Sequence, residues 1–257
     1  MSTKRKKPAH ANAADSAHAL HAVANIFERL SAAPSTSVHN FAAVDTARKE
    51  RTLVPEMIYC ENKSIERIIA IAKALYEKEN LVLGTRCPEK YFPKLKKAFP
   101  GCHIIRDSRC FRIGKPMKSK EGIRVGLLSA GTTDIAVCEE AALVLESLGV
   151  PVDRIYDVGV AGIHRLFAKD ERLKQCDVLI VAAGMEGALP SIVAGLYPQP
   201  IIAIPTSVGY GTALSGFTPL LAMLTGCSPG VSVVNIDNGV GAAAAAFKIV
   251  SLIKRQR

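Results

Sequence analysis

Several common signatures are missing from this sequence of 257 residues. Its seven cysteines form no CxxC pair and no spacing typical of metal ligands, so no metal site is indicated. No run of about 18 apolar residues is free of charged or helix-breaking residues, which argues against a membrane span. The sequence also lacks a secretory signal, and a reduced, cytoplasmic location is therefore expected.

The composition is that of a globular protein large enough to bury a sizeable core. Hydrophobic residues make up 49% of the chain and charged residues 22%. These values exclude a disordered, collagen-like or coiled-coil chain. The length suits one large domain or two modest ones.

Positive charge is concentrated in the first half of the chain. Residues 1–125 contain 24 Lys and Arg against 12 Asp and Glu, whereas residues 126–257 contain 9 against 11. This asymmetry indicates two modules, of which the basic one could attract a phosphate-bearing ligand, either a nucleotide or a nucleic acid. A solvated surface of Lys and Arg is the simpler alternative.

The hydrophobic pattern predicts three segments: a flexible basic tail over 1–24, a small α/β module over 25–120 and a parallel α/β domain over 121–257. The tail contains the basic cluster 4–7, and a short helix is predicted over 25–30. Apolar residues at helical spacing after Ser64 predict a helix over 64–79 in the small module, and a proline opens another over 88–99. In the last segment, helix-like stretches separate five strands, predicted over 124–128, 154–158, 178–182, 201–204 and 231–236. This alternation predicts a doubly wound, flavodoxin-like parallel sheet, with a C-terminal helix over 239–253.

Glycine-rich loops follow these strands, at the sheet edge where open parallel sheets bind ligands. Gly131 and Gly184 each lie in a loop that opens a helix, where backbone N–H groups favour anions. Neither loop is a Walker A motif and no GxGxxG occurs, so each could equally be a structural turn.

Charge is absent from the 50 residues between Glu186 and Asp237. Six prolines and seven glycines interrupt this stretch, which excludes a membrane helix. Helices here would lack a charged solvent face, and apolar surfaces of this size are usually covered by another subunit. A homo-oligomer is therefore predicted, the alternative being surfaces of Ser, Thr and Gly that face water.

Two residues of the second half have side chains suited to catalysis. His164, beside Arg165 in a strand-to-helix loop, could transfer a proton or could cap a helix. Cys227, in the loop before the last strand, could act as a nucleophile or could be buried and inert. The other six cysteines are interpreted as structural.

The loops resemble two related families. The segments 157–165 and 183–190, with the Pro-Thr pair at 205–206, resemble aminoimidazole ribonucleotide (AIR) carboxylase of purine synthesis, whose His-Arg motif corresponds to His164 and Arg165. That family has histidine where this sequence has Ala188. The resemblance to the LarB family of nickel-pincer cofactor synthesis is closer, and it extends from about residue 25 to the end. It is carried by the segments 129–134, 184–190, 205–211 and 235–239 and by Cys227 itself.

The LarB resemblance implies a carboxylase and hydrolase that acts on nicotinic acid adenine dinucleotide and CO2 or bicarbonate, with no organic cofactor and with Mg²⁺ as a candidate ion. It implies that Cys227 is the nucleophile and that Asp134 and His164 transfer protons or polarise phosphate. It also implies an octamer. The expected substrate-binding residues are Ser129, Gly131, Thr132, Thr133, Arg165, Gly184, Met185, Glu186 and Arg86.

Two alternatives stay open. One is AIR carboxylase itself, against which Ala188 and the Cys227 loop argue. The other is a nucleotide- or nucleic-acid-binding protein that has kept the fold without chemistry. The basic first half favours this second alternative, and the intact loops with Cys227 count against it, so nucleic acid is not the expected partner. Steeply salt-dependent binding to random DNA would favour the binding protein.

Overall fold

The structure of the chain is a computed structural model that describes residues 20–28, 35–38 and 41–256, with side chains up to residue 253. The predicted basic cluster over 4–7 lies outside the described residues. The first helix, α1, covers 20–28. It therefore begins inside the segment predicted as a flexible tail and earlier than the expected start at residue 25.

The first module is built on two small sheets. Its elements are β1 Ser35–Val38, β2 Ala42–Asp45, α2 Arg48–Thr52, β3 Met57–Tyr59, α3 Ile65–Glu79, β4 Leu81–Thr85, α4 Phe92–Ala98, β5 His103–Ile105 and β6 Cys110–Gly114. The strands β1 and β2 form an antiparallel pair. The other four form a mixed sheet in the order β3-β4-β6-β5, in which β3 and β4 run parallel. Both of these parallel strands therefore end at the same edge of the sheet.

Helix α3 confirms the helix that the sequence predicts over 64–79, whereas the helix predicted over 88–99 is interrupted. The Ser64 side chain accepts a hydrogen bond from the Arg67 amide at 3.4 Å, which caps the start of α3. Of the apolar positions that the spacing predicts, Ile65, Ile68, Ala72 and Leu75 are buried and Ile69 is partly buried, and Ile71 is buried as well. The second segment is a 3₁₀ turn over Glu89–Tyr91 followed by α4. Pro93, which cannot donate a backbone hydrogen bond, stands in the first turn of α4.

The second half forms the predicted parallel sheet. Its elements are β7 Val125–Ser129, α5 Ile135–Ser147, β8 Val152–Ile155, α6 His164–Phe167, α7 Asp170–Lys174, β9 Val178–Ala183, α8 Leu189–Leu196, β10 Ile201–Pro205, α9 Phe217–Thr225, β11 Val231–Val233 and α10 Gly239–Gln256. The strand order is β11-β10-β9-β7-β8, with every pair parallel. This is the flavodoxin-like order, in which the chain reverses its direction across the sheet between β7 and β9.

Two of these strands end earlier than the sequence predicts. The second strand is observed at Val152–Ile155 rather than 154–158, and the last at Val231–Val233 rather than 231–236. The residues that follow them therefore lie in loops at the carboxyl edge, where polar side chains can reach a ligand. None of the helices in the described residues is both long and apolar enough to cross a membrane.

The two modules share a hydrophobic core. Leu81 and Leu83 of β4 pack in one cluster with α5, α10 and one face of the second sheet, whereas Val82 packs against α3 on the other side of β4. Helices α6 to α9 cover the opposite face of the second sheet. The first sheet therefore packs against helices α5 and α10 of the second domain.

Candidate functional site

A pocket of about 300 Å³ opens at the carboxyl ends of β7, β8 and β9. This is the point where the strand order reverses, the usual ligand site of an open α/β sheet. The predicted site residues that line it are Gly131, Thr133, Asp134, Arg165, Gly184, Met185 and Glu186. The fold therefore brings seven of the twelve predicted residues to one pocket.

Asp134 is the buried acid of this pocket, with 3% of its surface exposed. Its Oδ2 accepts a hydrogen bond from the Gly131 amide at 2.8 Å, and its Oδ1 accepts one from the Thr206 hydroxyl at 2.6 Å. Burial raises the pKa of the Asp134 carboxyl above its usual range, although these donors oppose the shift. A buried carboxyl that lines a ligand pocket is a candidate to exchange a proton with a bound substrate.

Arg165 is held at the pocket by Asp157. The two side chains form an ion pair, and the Asp157 amide donates to the Ser129 hydroxyl at 3.0 Å. Ser129 is fully buried, so it supports the loop from beneath and does not line the pocket. Asp157 adopts a left-handed backbone conformation, with φ of 57°. Sequence analysis missed this residue because the predicted strand extended over it.

The loop after β9 approaches the loop after β10 very closely. A Cβ on Gly184 would lie 2.3 Å from the carbonyl oxygen of Val208, so a side chain has no room there. The Met185 amide donates to the same oxygen at 2.9 Å. This contact places the exposed side chains of Met185 and Glu186 at the mouth of the pocket.

Four other predicted residues also lie outside the pocket lining. Thr132 is exposed in the short turn before α5, next to the pocket residue Thr133. His164 is exposed as the first residue of α6. Arg86 follows β4 and lines a different cavity.

Cys227 is the fourth, in the loop between α9 and β11. It is exposed, whereas the other six cysteines are buried, as their structural interpretation requires. The neighbouring Ser228 hydroxyl donates to the carbonyl oxygen of Ser191 in α8 at 2.8 Å, which fixes the loop against that helix. Within one chain this thiol is accessible but does not line the pocket.

The second cavity, of about 750 Å³, lies between the two modules. The Arg86 guanidinium donates to the carbonyl oxygen of Asp237 across it, at 2.9 Å. Sequence analysis did not predict this lining, because Glu140 of α5 and Lys248 of α10 lie more than 100 residues apart in the chain. The one available signal was the polar loop 235–238 after the last strand.

The described residues contain no evident metal site. Among the residues that the structure describes, no three His, Cys, Asp or Glu side chains lie close enough to hold a metal ion. The described residues therefore provide no ligand set for the predicted Mg²⁺.

The uncharged stretch forms an apolar surface around α9. Large apolar side chains are exposed there, with more than half of their surface accessible, at Leu214, Phe217, Leu221 and Leu224. The helix contains no charged residue. The outer face of α9 is therefore apolar and uncharged, which is what the sequence predicts for a surface that contacts another subunit.

Comparisons with known proteins agree with this architecture. Residues 36–115 match the model of the LarB/PurE-like N-terminal domain, and residues 124–256 match that of AIR carboxylase. The chain is similar to an uncharacterized protein of Methanocaldococcus jannaschii, with 42% identity over 220 residues, which cover 82% of this chain and 85% of the relative. It is also similar to N5-carboxyaminoimidazole ribonucleotide mutase of Pyrococcus horikoshii, with 33% identity over 143 residues, 53% of this chain and 76% of the relative.

These matches confirm the resemblance that the loop motifs indicated. The family model for AIR carboxylase covers more than half of the chain, and the N-terminal match accounts for most of the rest. The chain belongs to the AIR carboxylase family of carboxylases and mutases, and it has a LarB/PurE-like domain ahead of the carboxylase domain.

Proposed function

We propose that the protein carboxylates the pyridinium ring of nicotinic acid adenine dinucleotide and cleaves its phosphoanhydride. The products are pyridinium-3,5-biscarboxylic acid mononucleotide and AMP, for nickel-pincer cofactor synthesis. The observation that carries the proposal is the pairing of two domains in one chain. The mutase of Pyrococcus horikoshii is similar over 53% of the chain, whereas the LarB/PurE-like domain occupies residues 36–115 ahead of the carboxylase domain.

The chemistry requires a nucleophile, because a pyridinium ring is too electron-poor to attack CO2. Addition of the Cys227 thiolate at a ring carbon beside the nitrogen removes aromaticity and gives an enamine. The meta carbon then attacks CO2 and forms the new carbon–carbon bond. Loss of the proton from that carbon and expulsion of the thiolate restore the aromatic ring and the free cysteine. Cleavage of the phosphoanhydride consumes one water molecule and divides the dinucleotide into its two mononucleotides.

The pocket at the carboxyl ends of β7, β8 and β9 contains groups that could accept the ring proton and bind the negatively charged groups of the substrate. Asp134, whose pKa is raised by burial, is the proposed acceptor of the ring proton. Arg165, which forms an ion pair with Asp157, is the proposed binding group for a carboxylate or phosphate of the substrate. His164, which is exposed in the single chain, is the second proposed proton-transfer group.

We place the complete site in a homo-oligomer. Cys227 and His164 do not line the pocket of their own chain, and the apolar surface around α9 is of the kind that a second copy covers. Assembly would bury this surface and bring residues of a neighbouring copy to the pocket. The thiol must stay free for this chemistry, which fits a reducing cytoplasm.

Replacing Leu221 with lysine is expected to dissociate the oligomer. Leu221 is 58% exposed in the single chain, so the substitution leaves the monomer core intact but would place a charge in the contact. Sedimentation velocity would show the smaller species, and carboxylation would fall with it. A Lys73→Glu variant on the exposed side of α3 is the matched control, since it also alters surface charge. A wild-type chain that sediments as a monomer at all concentrations would contradict the assembly.

The whole proposal is tested by mass spectrometry of the protein incubated with nicotinic acid adenine dinucleotide and ¹³C-bicarbonate. The expected result is AMP together with a mononucleotide that carries one labelled carboxylate. Carboxylation without AMP would limit the activity to the first half-reaction. Absence of both products, with nucleotide binding retained, would contradict the proposal and favour a binding protein.

The second candidate is the reaction of the named relatives, the N5-carboxyaminoimidazole ribonucleotide mutases. The identity over the carboxylase domain and the His164-Arg165 pair favour it, whereas Ala188 stands where the AIR carboxylase motif has histidine. Incubation with that ribonucleotide separates the two functions, since a mutase would convert it and leave the dinucleotide unchanged.

A further inference from the structure

Three buried cysteines of the first module belong to one hydrophobic cluster, and the proposed reaction uses none of them. Cys60, Cys87 and Cys102 all pack in the core that α3 covers. Cys60 is the first residue after β3, and Cys87 lies two residues after β4. Because β3 and β4 are parallel neighbours, with Tyr59 opposite Thr85, both cysteines lie at the same edge of the sheet.

The thiols of Cys60 and Cys87 form a hydrogen bond. The Cys60 amide donates to the carbonyl oxygen of Thr85 at 3.0 Å, which fixes this residue against the end of β4. The Cys87 amide donates to the carbonyl oxygen of Arg109 at 2.8 Å. With the backbone held in this way, the Cys60 thiol donates to the sulfur of Cys87. Contact between two cysteine side chains is the first geometric condition for a disulfide.

This contact makes Cys87 the more reactive thiol of the pair. The pKa of Cys87 is lowered mainly by the hydrogen bond that its sulfur accepts from Cys60, with a further contribution from the charge of Arg109, although burial opposes the shift. The hydrogen bond to Cys87 and burial both raise the pKa of the Cys60 thiol. Since the thiolate is the nucleophilic form, Cys87 is suited to react first with an oxidant and Cys60 to react second.

Both cysteines are buried, and the residues directly before them line the cavity between the modules. Tyr59 precedes Cys60 and Arg86 precedes Cys87, and both border this space of about 750 Å³. A peroxide is small enough to enter such a space, whereas a bulky reagent would have to open the fold first. The cavity is therefore the path by which a small oxidant would reach the pair.

Arg86 connects the pair to the second domain. It directly precedes Cys87, its φ of 50° lies in the left-handed region, and its guanidinium donates to the carbonyl oxygen of Asp237 at 2.9 Å. A disulfide holds its sulfurs about 2.0 Å apart, closer than two hydrogen-bonded thiols, so its formation must draw Cys60 and Cys87 together. The turn at Arg86 has to absorb this movement, and the hydrogen bond to Asp237 is the contact that it strains.

We infer that Cys60 and Cys87 form a reversible oxidation site, which a peroxide converts into a disulfide, and that this bond displaces Arg86 from Asp237. The Cys87 thiolate attacks one peroxide oxygen and the O–O bond breaks. Hydroxide leaves and gains a proton to form water, and Cys87 becomes a sulfenic acid.

The disulfide forms in a second step. The Cys60 sulfur attacks the Cys87 sulfur, and the remaining peroxide oxygen leaves as water with the Cys60 proton. Two thiols are thereby oxidised to one disulfide, and one peroxide is reduced to two water molecules. A dithiol reductant reverses the change by thiol–disulfide exchange. The site does not depend on the proposed carboxylation.

Peptide mapping of the full-length protein after treatment with hydrogen peroxide tests the pairing. Lys or Arg lies between the four cysteines of the first module, so trypsin separates them into the peptides 52–63, 87–90, 98–106 and 110–112. After free thiols are blocked with N-ethylmaleimide, 52–63 linked to 87–90 is expected as the dominant disulfide of the module, and dithiothreitol should abolish it. Recovery of both peptides with free thiols, under conditions that oxidise the exposed Cys227, would overturn the inference. A dominant link from Cys87 to Cys102 or Cys110 would overturn it as well.

Single substitutions separate the roles of the two thiols. Cys60→Ala should lose the linked peptide and leave Cys87 as a sulfenic acid that dimedone traps, whereas Cys87→Ala should leave Cys60 unlabelled. Cys176→Ala removes a buried thiol of the second domain and is the matched control, in which the link should form as in the wild type. Equal dimedone labelling of Cys60 and Cys87 in these variants would overturn the order of attack. The wild-type map needs no substitution, so it decides the pairing even where a variant fails to fold.

Hydrogen–deuterium exchange measures the effect on Arg86. Amides of the loop 235–238, which contains the carbonyl oxygen that Arg86 binds, should exchange faster in the oxidised wild type than in the reduced protein. Peroxide-treated Cys60→Ala, which keeps Arg86 but cannot form the link, is the control and should exchange as the reduced protein does. Equal exchange in the linked and the reduced wild type would overturn the displacement of Arg86, whatever the carboxylation assays show.

Discussion

Replacement of Cys227 with alanine is expected to lower carboxylation of nicotinic acid adenine dinucleotide by roughly three orders of magnitude or more. Without the thiolate adduct the pyridinium ring stays aromatic and cannot attack CO2. Because Cys227 is exposed, its loss should change the free energy of unfolding by only about 0.5 kcal/mol. Incorporation of ¹³C-bicarbonate measures the activity, and circular dichroism with thermal unfolding verifies the fold.

The neighbouring residues provide controls for this substitution. Cys227→Ser keeps the size of the side chain but has no nucleophilic anion at neutral pH, so it should be as inactive as the alanine variant. Ser228→Ala removes the 2.8 Å hydrogen bond to Ser191 and perturbs the loop without removing the thiol, so most activity should remain. Near wild-type turnover in Cys227→Ala would exclude the cysteine-adduct mechanism.

Alkylation provides an independent test of the same thiol. Iodoacetamide should modify Cys227 before the six buried cysteines, which can be followed by peptide mass spectrometry. Saturating dinucleotide should slow this modification if the substrate lies over the thiol in the assembled protein. Unchanged alkylation in the presence of bound substrate would place Cys227 away from the reacting ring.

The parallel sheet and its ligand edge could be predicted from the sequence because the signals are local. Buried strands alternate with helical segments, and parallel strands must end at the same edge. Gly131, Asp134, Gly184 and Glu186 therefore meet at one pocket although more than 50 residues separate the first from the last. The strand bounds were less precise, since β8 begins two residues before its predicted start and ends three residues before its predicted end.

Contacts that depend on tertiary packing could not be predicted. Asp157 was assigned to a strand, and its role beside Arg165 became visible only when β8 ended at Ile155. The cavity between the modules exists because Leu81 and Leu83 pack against the helices of the second domain. No local pattern marks Lys248 as a neighbour of Arg86.

The position of Cys227 relative to the pocket is a further limit of sequence reasoning. Motif similarity assigns the thiol a role but does not place it within one chain. The structure shows Cys227 exposed after α9 and outside the pocket lining of its own chain, which is why we propose that a second copy completes the site. The residues that a neighbouring copy would cover in the proposed homo-oligomer are the same uncharged residues that the composition singles out.

Asp134→Asn is expected to lower the turnover of the dinucleotide by about 10²–10⁴-fold, the usual contribution of a general base. The substitution keeps the shape of the side chain. Its amide oxygen can accept from Gly131, and its NH2 group can donate to the Thr206 hydroxyl, so the hydrogen bonds and the fold should persist. The kinetic signature is a loss of kcat with little change in dinucleotide binding. An equal loss in binding would indicate a substrate-holding role.

Thr206 allows the protonation state of Asp134 to be altered without changing the acid. Its hydroxyl donates to the carboxylate and so lowers the pKa of Asp134, opposing the larger effect of burial. Thr206→Val removes this donor, so the pKa should rise further. A base is active when deprotonated, and activity is lost as the pH falls through its pKa; the acidic limb of the pH profile should therefore move to higher pH. Thr206→Ser retains the hydroxyl and should restore the wild-type profile. If the acidic limb does not move in Thr206→Val, the group that titrates in catalysis is not Asp134, and the exposed His164 becomes the base to test.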